Sequence, residues 1–303
     1  MDKMVLRERH GSSSAMIDTA TAAPSISAFI ITRNEAKNIA RCLASLDFSN
    51  DIVVFDSGST DDTVAIARRH PYVRLFERRF DDYASQRNFG LHQIGYANPW
   101  VLVIDADEVV DRRLRDAMLT RIGSNDPALA ATSAFMVRRF TCLDGQVLSR
   151  NLSAHFWIAR LVRPERVVYE GSVHERLIVD GGVERLSGVL HHHQFAQGID
   201  HWLARRMRYA ALEQRERAAG NEPVPPLAQL WRGTHFERRA LLKTLFRRLP
   251  APWLIYWIVS VVITWPFLEG RAGMRYLYLE TLSQFRAARL TKEALPCSAM
   301  PAT

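Results

Sequence analysis

Cysteine is scarce in this chain: three among 303 residues, Cys42, Cys142 and Cys297, with no CxxC pair. That spacing argues against a disulfide framework or a zinc ribbon and predicts a reducing compartment. Lysine is nearly as rare, four of 40 basic residues, and we attach no functional weight to it. Residues 1–24 are rich in Ser, Ala and Thr but lack a continuous apolar stretch, so a mobile tail is expected there and not a secretory signal. No internal repeat and no recognisable nucleic-acid-binding motif is present. Acidic residues thin out late in the chain. Residues 196–303 carry 16 basic against 8 acidic side chains, whereas residues 1–195 balance 24 against 24, so the whole formal charge of +8 sits in the last third. Such an excess predicts contact with a polyanion, either nucleic acid or an anionic membrane surface, and the neutral first part counts against nucleic acid.

What the chain does have is material for a core. With 48% hydrophobic and 24% charged residues it excludes a wholly disordered chain and a polytopic membrane protein. Its length suits one large α/β domain, or a catalytic domain with a smaller appendix. Apolar runs at Ala28 to Ile31, Ile52 to Phe55, Val73 to Phe76 and Trp100 to Ile104 read as strands. Between them Ile39, Leu43 and Leu46, then Thr63 to Arg69 and Tyr83 to Ile94, follow helical spacing. Strand alternating with helix predicts a parallel sheet. After a helix over Asp111 to Ile122 the pattern shifts to short β segments at Phe135 to Arg138, Ile158 to Val162, Val167 to Tyr169, Leu177 to Val179 and Val189 to His193, so the second half of the domain is expected to be mixed sheet. From about Gly198 the chain reads as helix: His201 to Ala219, Leu227 to Leu249, an apolar run from Ala251 to Leu268, and Met274 to Leu290. The expected organisation is a tail (1–24), an α/β domain (25–197) and a basic helical extension (198–303).

Ligands of an open parallel sheet bind beyond the carboxyl ends of its strands, so the polar residues just past each run are the candidates. They are Thr32, Arg33, Asn34 and Glu35; Asp56, Ser57, Gly58, Ser59, Thr60 and Asp61; and Asp105, Ala106, Asp107 and Glu108. Alternate carboxylates such as Asp105 and Asp107 can hold a hard divalent cation that neutralises a diphosphate, or can simply cap the next helix. His191-His192-His193 places two imidazoles on one face of a strand, a weak zinc signal without a further ligand. Spacing to Trp202 and Tyr209 instead favours His193 closing the site. The run from Ala251 to Leu268 carries no charge, but Pro252 and Pro266 interrupt it, Trp253, Tyr256, Trp257 and Trp265 suit an interface, and Arg247, Arg248, Arg271 and Arg275 flank it. It reads as a membrane-surface element, with a packed helix and a true span as the other readings.

Four segments occur in an order that resembles the inverting family 2 glycosyltransferases: Phe29-Ile30-Ile31-Thr32-Arg33-Asn34-Glu35, Ile52 through Thr63, Gln86-Arg87-Asn88-Phe89-Gly90, and Val103-Ile104-Asp105-Ala106-Asp107-Glu108. Together with Arg160-Leu161-Val162-Arg163 and Glu170-Gly171-Ser172-Val173-His174-Glu175 they are most similar to the lipopolysaccharide-core β-glucosyltransferase branch, over roughly residues 26–210. The resemblance implies a GT-A fold, Rossmann-like with a mixed sheet and here a C-terminal helical extension. It also implies a nucleotide-sugar donor, usually a UDP-sugar, with Mg2+ or Mn2+ on its diphosphate. By motif position, Thr32, Asn34 and Glu35 surround the nucleoside, Asp56 with Ser57 and Gly58 faces the base, and Gln86 and Arg87 face the nucleotide. Asp105 touches the ribose or the metal, and Asp107 is the principal metal ligand. Displacement at an anomeric carbon also needs a base for the acceptor hydroxyl. Glu175, beside His174, is expected in that role, with Glu170 in reserve. The implied protein is cytoplasmic and peripheral on the inner face of the membrane, with a lipid-linked saccharide such as lipopolysaccharide core as acceptor. A polyprenol-linked or capsule precursor, or a non-catalytic basic adaptor, are the competing readings.

Overall fold

The computed structural model describes residues 26–171, 176–218, 241 and 251–293. They fall into two compact units, one reaching to Cys142 and including Ser153–Ala196, the other combining Leu143–Leu152 with the chain from Gln197 onward.

In the first unit β1 (Ser27–Thr32), β2 (Ile52–Asp56), β3 (Val73–Glu77) and β4 (Val101–Asp105) lie parallel in the order β3-β2-β1-β4. The helices between them are α1 (Ile39–Ala44), α2 (Thr63–Ala67) and α3 (Tyr83–Gln93). Strands β1, β2 and β4 are covered on both faces, which is why they read as unbroken apolar runs. Alternation sorts their side chains. Ala28, Ile30, Leu102 and Ile104 pack under α1 and under α4 (Arg112–Ile122), while Phe29, Val101 and Val103 pack under α3. Asp82 and Asp111 start α3 and α4 by accepting the amides of Ser85 and Leu114 at 2.9 and 2.6 Å.

Beyond β4 the sheet becomes mixed, in the order β4-β8-β6-β11-β5. These strands are β5 (Glu108–Val110), β6 (Thr132–Leu143), β8 (Trp157–Val162) and β11 (Gly182–His192); β7 is Gln146–Leu148. β9 (Val167–Glu170) and β10 (Arg176–Val179) form a separate antiparallel pair. Two strands are longer than the sequence pattern suggests. β6 extends past Phe135 to Arg138 in both directions, and β11 begins seven residues before Val189, because a register shift between Arg185 and Val189 breaks its alternation. Gly188 permits that shift: its φ is +89° and a Cβ there would lie 2.2 Å from the Leu114 amide of α4.

The second unit contains α5 (Ile199–Ala218), α6 (Pro252–Thr264) and α7 (Gly270–Glu293). The uncharged run does not form one helix: α6 stops at Trp265, which is left-handed (φ 49°), and a 3-10 turn over Pro266–Glu269 leads into α7. Arg206 of α5 meets Glu280 of α7 at 2.7 Å, and Tyr276 donates to the same carboxylate at 3.1 Å. The segment expected as helix over Leu227 to Leu249 lies outside the described residues except for Leu241, as does the tail.

Gly90 marks the closest approach of α3 to the sheet, since a Cβ there would fall 1.9 Å from Cζ of the fully buried Phe29 ring. Gly90→Ala is therefore expected to lower unfolding free energy by about 1–3 kcal/mol despite its better helix propensity. Pairing it with Phe29→Leu should recover part of the loss; a urea midpoint at or above wild type for the single variant contradicts the packing described.

Candidate active site

The parallel half of the sheet brings its polar strand ends to one edge. Thr32 pairs with Asp56 across β1 and β2, and Ile31 pairs with Asp105 across β1 and β4, so the ends of three strands stand level. The loops that follow β1 and β2 brace each other. Asn34, held at φ 55°, accepts the Thr60 amide at 2.7 Å, its own amide donates to Ser59 Oγ at 2.8 Å, and the Glu35 amide donates to Thr63 Oγ1 at 2.8 Å. Asp56 closes its own loop by accepting the amides of Gly58 and Ser59 at 3.0 and 2.7 Å. Gly58 adopts φ +84° inside that turn. The Ser57 amide donates to the Thr32 carbonyl at 2.9 Å. The buried hydroxyls of Thr32 and Ser57 and the Oε1 of Gln86 have no hydrogen-bond partner among the described residues, a state in which buried polar atoms are rarely left.

Next to them lies a buried cluster of alternating charge. Arg160 donates to Asp105 Oδ2 at 2.7 Å and to Glu108 Oε1 at 2.6 Å; Arg87 donates to Asp105 Oδ1 at 3.1 Å; Arg139 reaches Glu108 Oε1 at 3.1 Å. Glu108 is fully buried, and its Oε2 accepts the Asp105 amide at 3.1 Å. Arg160 can do this because it is an extra residue in β8: Leu161 pairs with Phe135 and Ala159 with Met136, which leaves Arg160 bulged out of register. Burial opposes charge on Asp105, yet the guanidiniums of Arg160, Arg87 and Arg139 override it and hold its carboxyl well below the usual carboxylate range. Burial also opposes charge on Arg160, and Asp105 and Glu108 overcome it. Cys42, whose thiol donates to the Asp105 carbonyl at 3.8 Å, is pushed well up by burial and then by the field of Glu108, Asp107 and Asp105.

This cluster engages Asp105, one of the two acids expected to hold the metal. Both oxygens of Asp105 are engaged by guanidiniums, and Arg87, expected to face the nucleotide, is buried against Asp105 and the Tyr169 ring. Gln86, also expected to face it, donates its Nε2 to the Arg79 carbonyl at 2.8 Å, which leaves its Oε1 as the unpartnered atom named above. His192 Nε2 lies 3.2 Å from the Asp107 Oδ2. His193, expected to close the site, donates its backbone amide to the Asp107 carbonyl at 2.8 Å. The His193 imidazole is pushed down to about 4 by burial, then by Arg41 and the neighbouring histidines. Among the described residues no group of three His, Cys, Asp or Glu side chains is arranged to hold a metal. A cation bound to a diphosphate needs only one or two protein ligands, because the phosphates supply oxygens themselves. Asp107 with His192 fits that requirement. His174 and Glu175 lie outside the described residues; Glu170, the reserve base, ends β9 and is exposed.

The sequence offers Arg160 only within a motif, Glu108 only as a strand-end acid, and His192 only within a run of three histidines. Removing Arg160 leaves two carboxylates with too little compensation, so Arg160→Met should cost about 3 kcal/mol in urea unfolding. The loss should shrink in Arg160→Met/Glu108→Gln. Because the Asp105 pKa is depressed on folding, its contribution is present above the unfolded carboxylate value near ~4 and is lost as pH falls below it. The effect of Arg160→Met should therefore be constant between about pH 6 and 8, and an unchanged unfolding midpoint contradicts the cluster's role.

Residues 27–159 match the family described as Glycosyl transferase family 2. The lipopolysaccharide core biosynthesis glycosyltransferase LpsC of Rhizobium meliloti is 30% identical over 200 residues, 62% of this chain and 70% of LpsC. An uncharacterized glycosyltransferase of Rickettsia felis is 42% identical over 92 residues, 30% of this chain and 31% of that protein. Among solved structures, TarS 1-349 of S. aureus is a remote likeness, with 13% identity and a TM-score of 0.41 over 89% of this chain and 92% of that one. The motifs, the mixed sheet and the extent of the match to LpsC agree: the chain belongs to glycosyl transferase family 2 and is a glycosyltransferase of GT-A fold.

Proposed function

We propose that this glycosyltransferase moves a sugar, with inversion, from a UDP-hexose to a lipid-linked saccharide, with lipopolysaccharide core as the acceptor. The observation that carries the donor half is the level row of strand ends, where Thr32, Asp56 and Asp105 gather beside unpartnered buried hydroxyls. Similarity to LpsC supports the acceptor half. Thr32, Ser57 and Gln86 would meet the nucleotide, and Asp107 with His192 would hold Mg2+ or Mn2+. A divalent cation there would offset the charge of the departing diphosphate. Arg87 and Arg160 keep the Asp105 carboxylate in one orientation. Glu175 would take the acceptor proton, oriented by His174, with Glu170 as the other carboxylate of the same segment.

Thermal-shift titration of UDP and UDP-hexoses with Mn2+ tests the donor, because a ligand that prefers the folded state raises the midpoint. Stabilisation by UDP that disappears in Asp107→Asn, together with loss of transfer from a protein that still folds, is the expected result. Mn2+-independent turnover contradicts the metal reading. Glu175→Gln should abolish transfer while leaving UDP binding intact; loss in Glu170→Gln alone would reassign the base. Transfer to a polyprenol-linked or capsule precursor and not to core oligosaccharide would replace the acceptor.

The same reading places the protein on the inner face of the cell membrane. The corner between α6 and α7 exposes Trp257, Ile258, Val262, Ile263, Trp265, Phe267 and Leu268, with Val262 at 65% and Ile263 at 59% of full exposure. Arg271 and Arg275 follow on the outer side of α7. An apolar, Trp-bearing corner beside arginines suits the interface of an anionic bilayer. No single described helix is long and apolar enough to cross a membrane; α6 together with residues 266–289 passes that test only as a pair bent by 71°. Cosedimentation with vesicles rich in phosphatidylglycerol is the measurement. Val262→Ser/Ile263→Ser/Trp265→Ser should reduce binding at least roughly tenfold, and equal binding to neutral vesicles contradicts the charge component.

A further inference from the structure

Strand β6 presents two consecutive arginines to opposite sides of the sheet. Arg139 turns inward to Glu108, as described. Arg138 turns the other way and remains exposed, opposite Trp157, its register partner on β8. Val137 and Ile158, the preceding pair, pack on the α1 and α4 side, so Arg138 and Trp157 belong to the α3 side. Arg185 of β11, paired with Met136, joins them there and is also exposed. The Arg138 guanidinium lies 5.6 Å from the Trp157 ring centroid and 5.3 Å from that of Phe140, and the Arg185 guanidinium lies 5.0 Å from Trp157. Among the described residues neither guanidinium forms an ion pair with a carboxylate, although Arg87, Arg121, Arg139 and Arg160 of the same unit all do.

The position of this group follows from strand direction. β8 runs antiparallel to β4, with Val162 opposite Val101 and Leu161 opposite Leu102. Moving back along β8 from Val162 to Trp157 therefore advances in the direction in which β4 advances to Asp105. Arg160, midway, already touches Asp105. Trp157 and Arg138 thus stand at the catalytic edge, on the antiparallel side of it, away from the nucleotide-side strands β1 to β3.

We propose that Arg138 and Arg185, arrayed around Trp157, bind an anionic group, a phosphate or a carboxylate, carried by the saccharide acceptor. The inference rests on the reading of this chain as a transferase to a saccharide, and it adds the chemical class of that saccharide. A guanidinium packed on an aromatic face keeps its N–H edge available and has little rotamer freedom left to lose, which suits forked recognition of an oxyanion. Two such cations with no internal counter-ion, set in a unit whose overall charge is balanced, suit a small localised anion and not an extended polyanion.

The test is calorimetric binding of lipid-free lipopolysaccharide core oligosaccharide to the full chain, with no turnover required. The oligosaccharide is used intact, after phosphatase treatment and after carboxyl reduction. Arg138→Gln and Arg185→Gln should each weaken binding of the intact form roughly tenfold. One of the two treatments should produce the same loss in the wild type and little further loss in the double variant, which identifies phosphate or carboxylate as the group bound. Wild-type affinity of the double variant for the intact form, equal losses for all three forms, or no binding by the wild type each overturn the proposal. UDP binding with Mn2+, measured in parallel, separates the readings: its absence counts against the donor assignment, whereas its persistence in both variants confines their defect to the saccharide.

Discussion

A sheet edge that gathers carboxylates from several strand ends has to keep them from repelling one another, and here Arg160 does most of that. One guanidinium, bulged out of β8, is shared between Asp105 and the fully buried Glu108, while Arg87 and Arg139 complete the neutralisation from either side. Charge buried in this manner is weak evidence for net stability, because desolvation cancels much of the attraction. Its value lies in geometry. Asp105 is kept ionised and in one orientation, and Asp107, two residues on, lies beside His192.

Much of this architecture is legible in the residue pattern. Ile52 to Phe55 and Val101 to Ile104 are continuous apolar runs because both faces of the parallel half are covered, and the polar residues immediately after them come together at one edge of the sheet. Asp111 begins α4 as a cap, as its place before an amphipathic stretch suggests. The break at Trp265 follows from Pro266. What could not be read depends on partners remote in sequence. The bulge that aims Arg160 exists only in the register of β8 against β6, and the approach of His192 to Asp107 depends on β11 lying antiparallel to β5, with His192 opposite Glu108. Neither relation leaves a periodic trace in one chain. Arg87 shows the same limit. Its motif position gives no sign of the carboxylate 18 residues away that pairs with it.

The second unit is built on another principle. Its helices are tied by a few directional contacts: Arg206 and Tyr276 on Glu280, Arg275 on Asp144 at 2.7 Å, and the amides of Ser149 and Arg150 on Glu269 at 2.5 and 2.8 Å. Large apolar side chains are left on the outside at the α6–α7 corner. In the first unit the apolar surface lies mostly between sheet and helices, whereas here part of it faces outward.

The brace between the first two loops has a consequence for molecular selection. Asn34, in a left-handed conformation, ties its loop to Ser59 and Thr60, and Asp56 folds its own loop onto itself. A donor bound over these loops, as proposed, would meet backbone already tied in place, so little chain entropy would remain to be lost on capture. Loops of that kind would admit any ligand of suitable outline, and preference between one sugar and another would then be written in the walls above them.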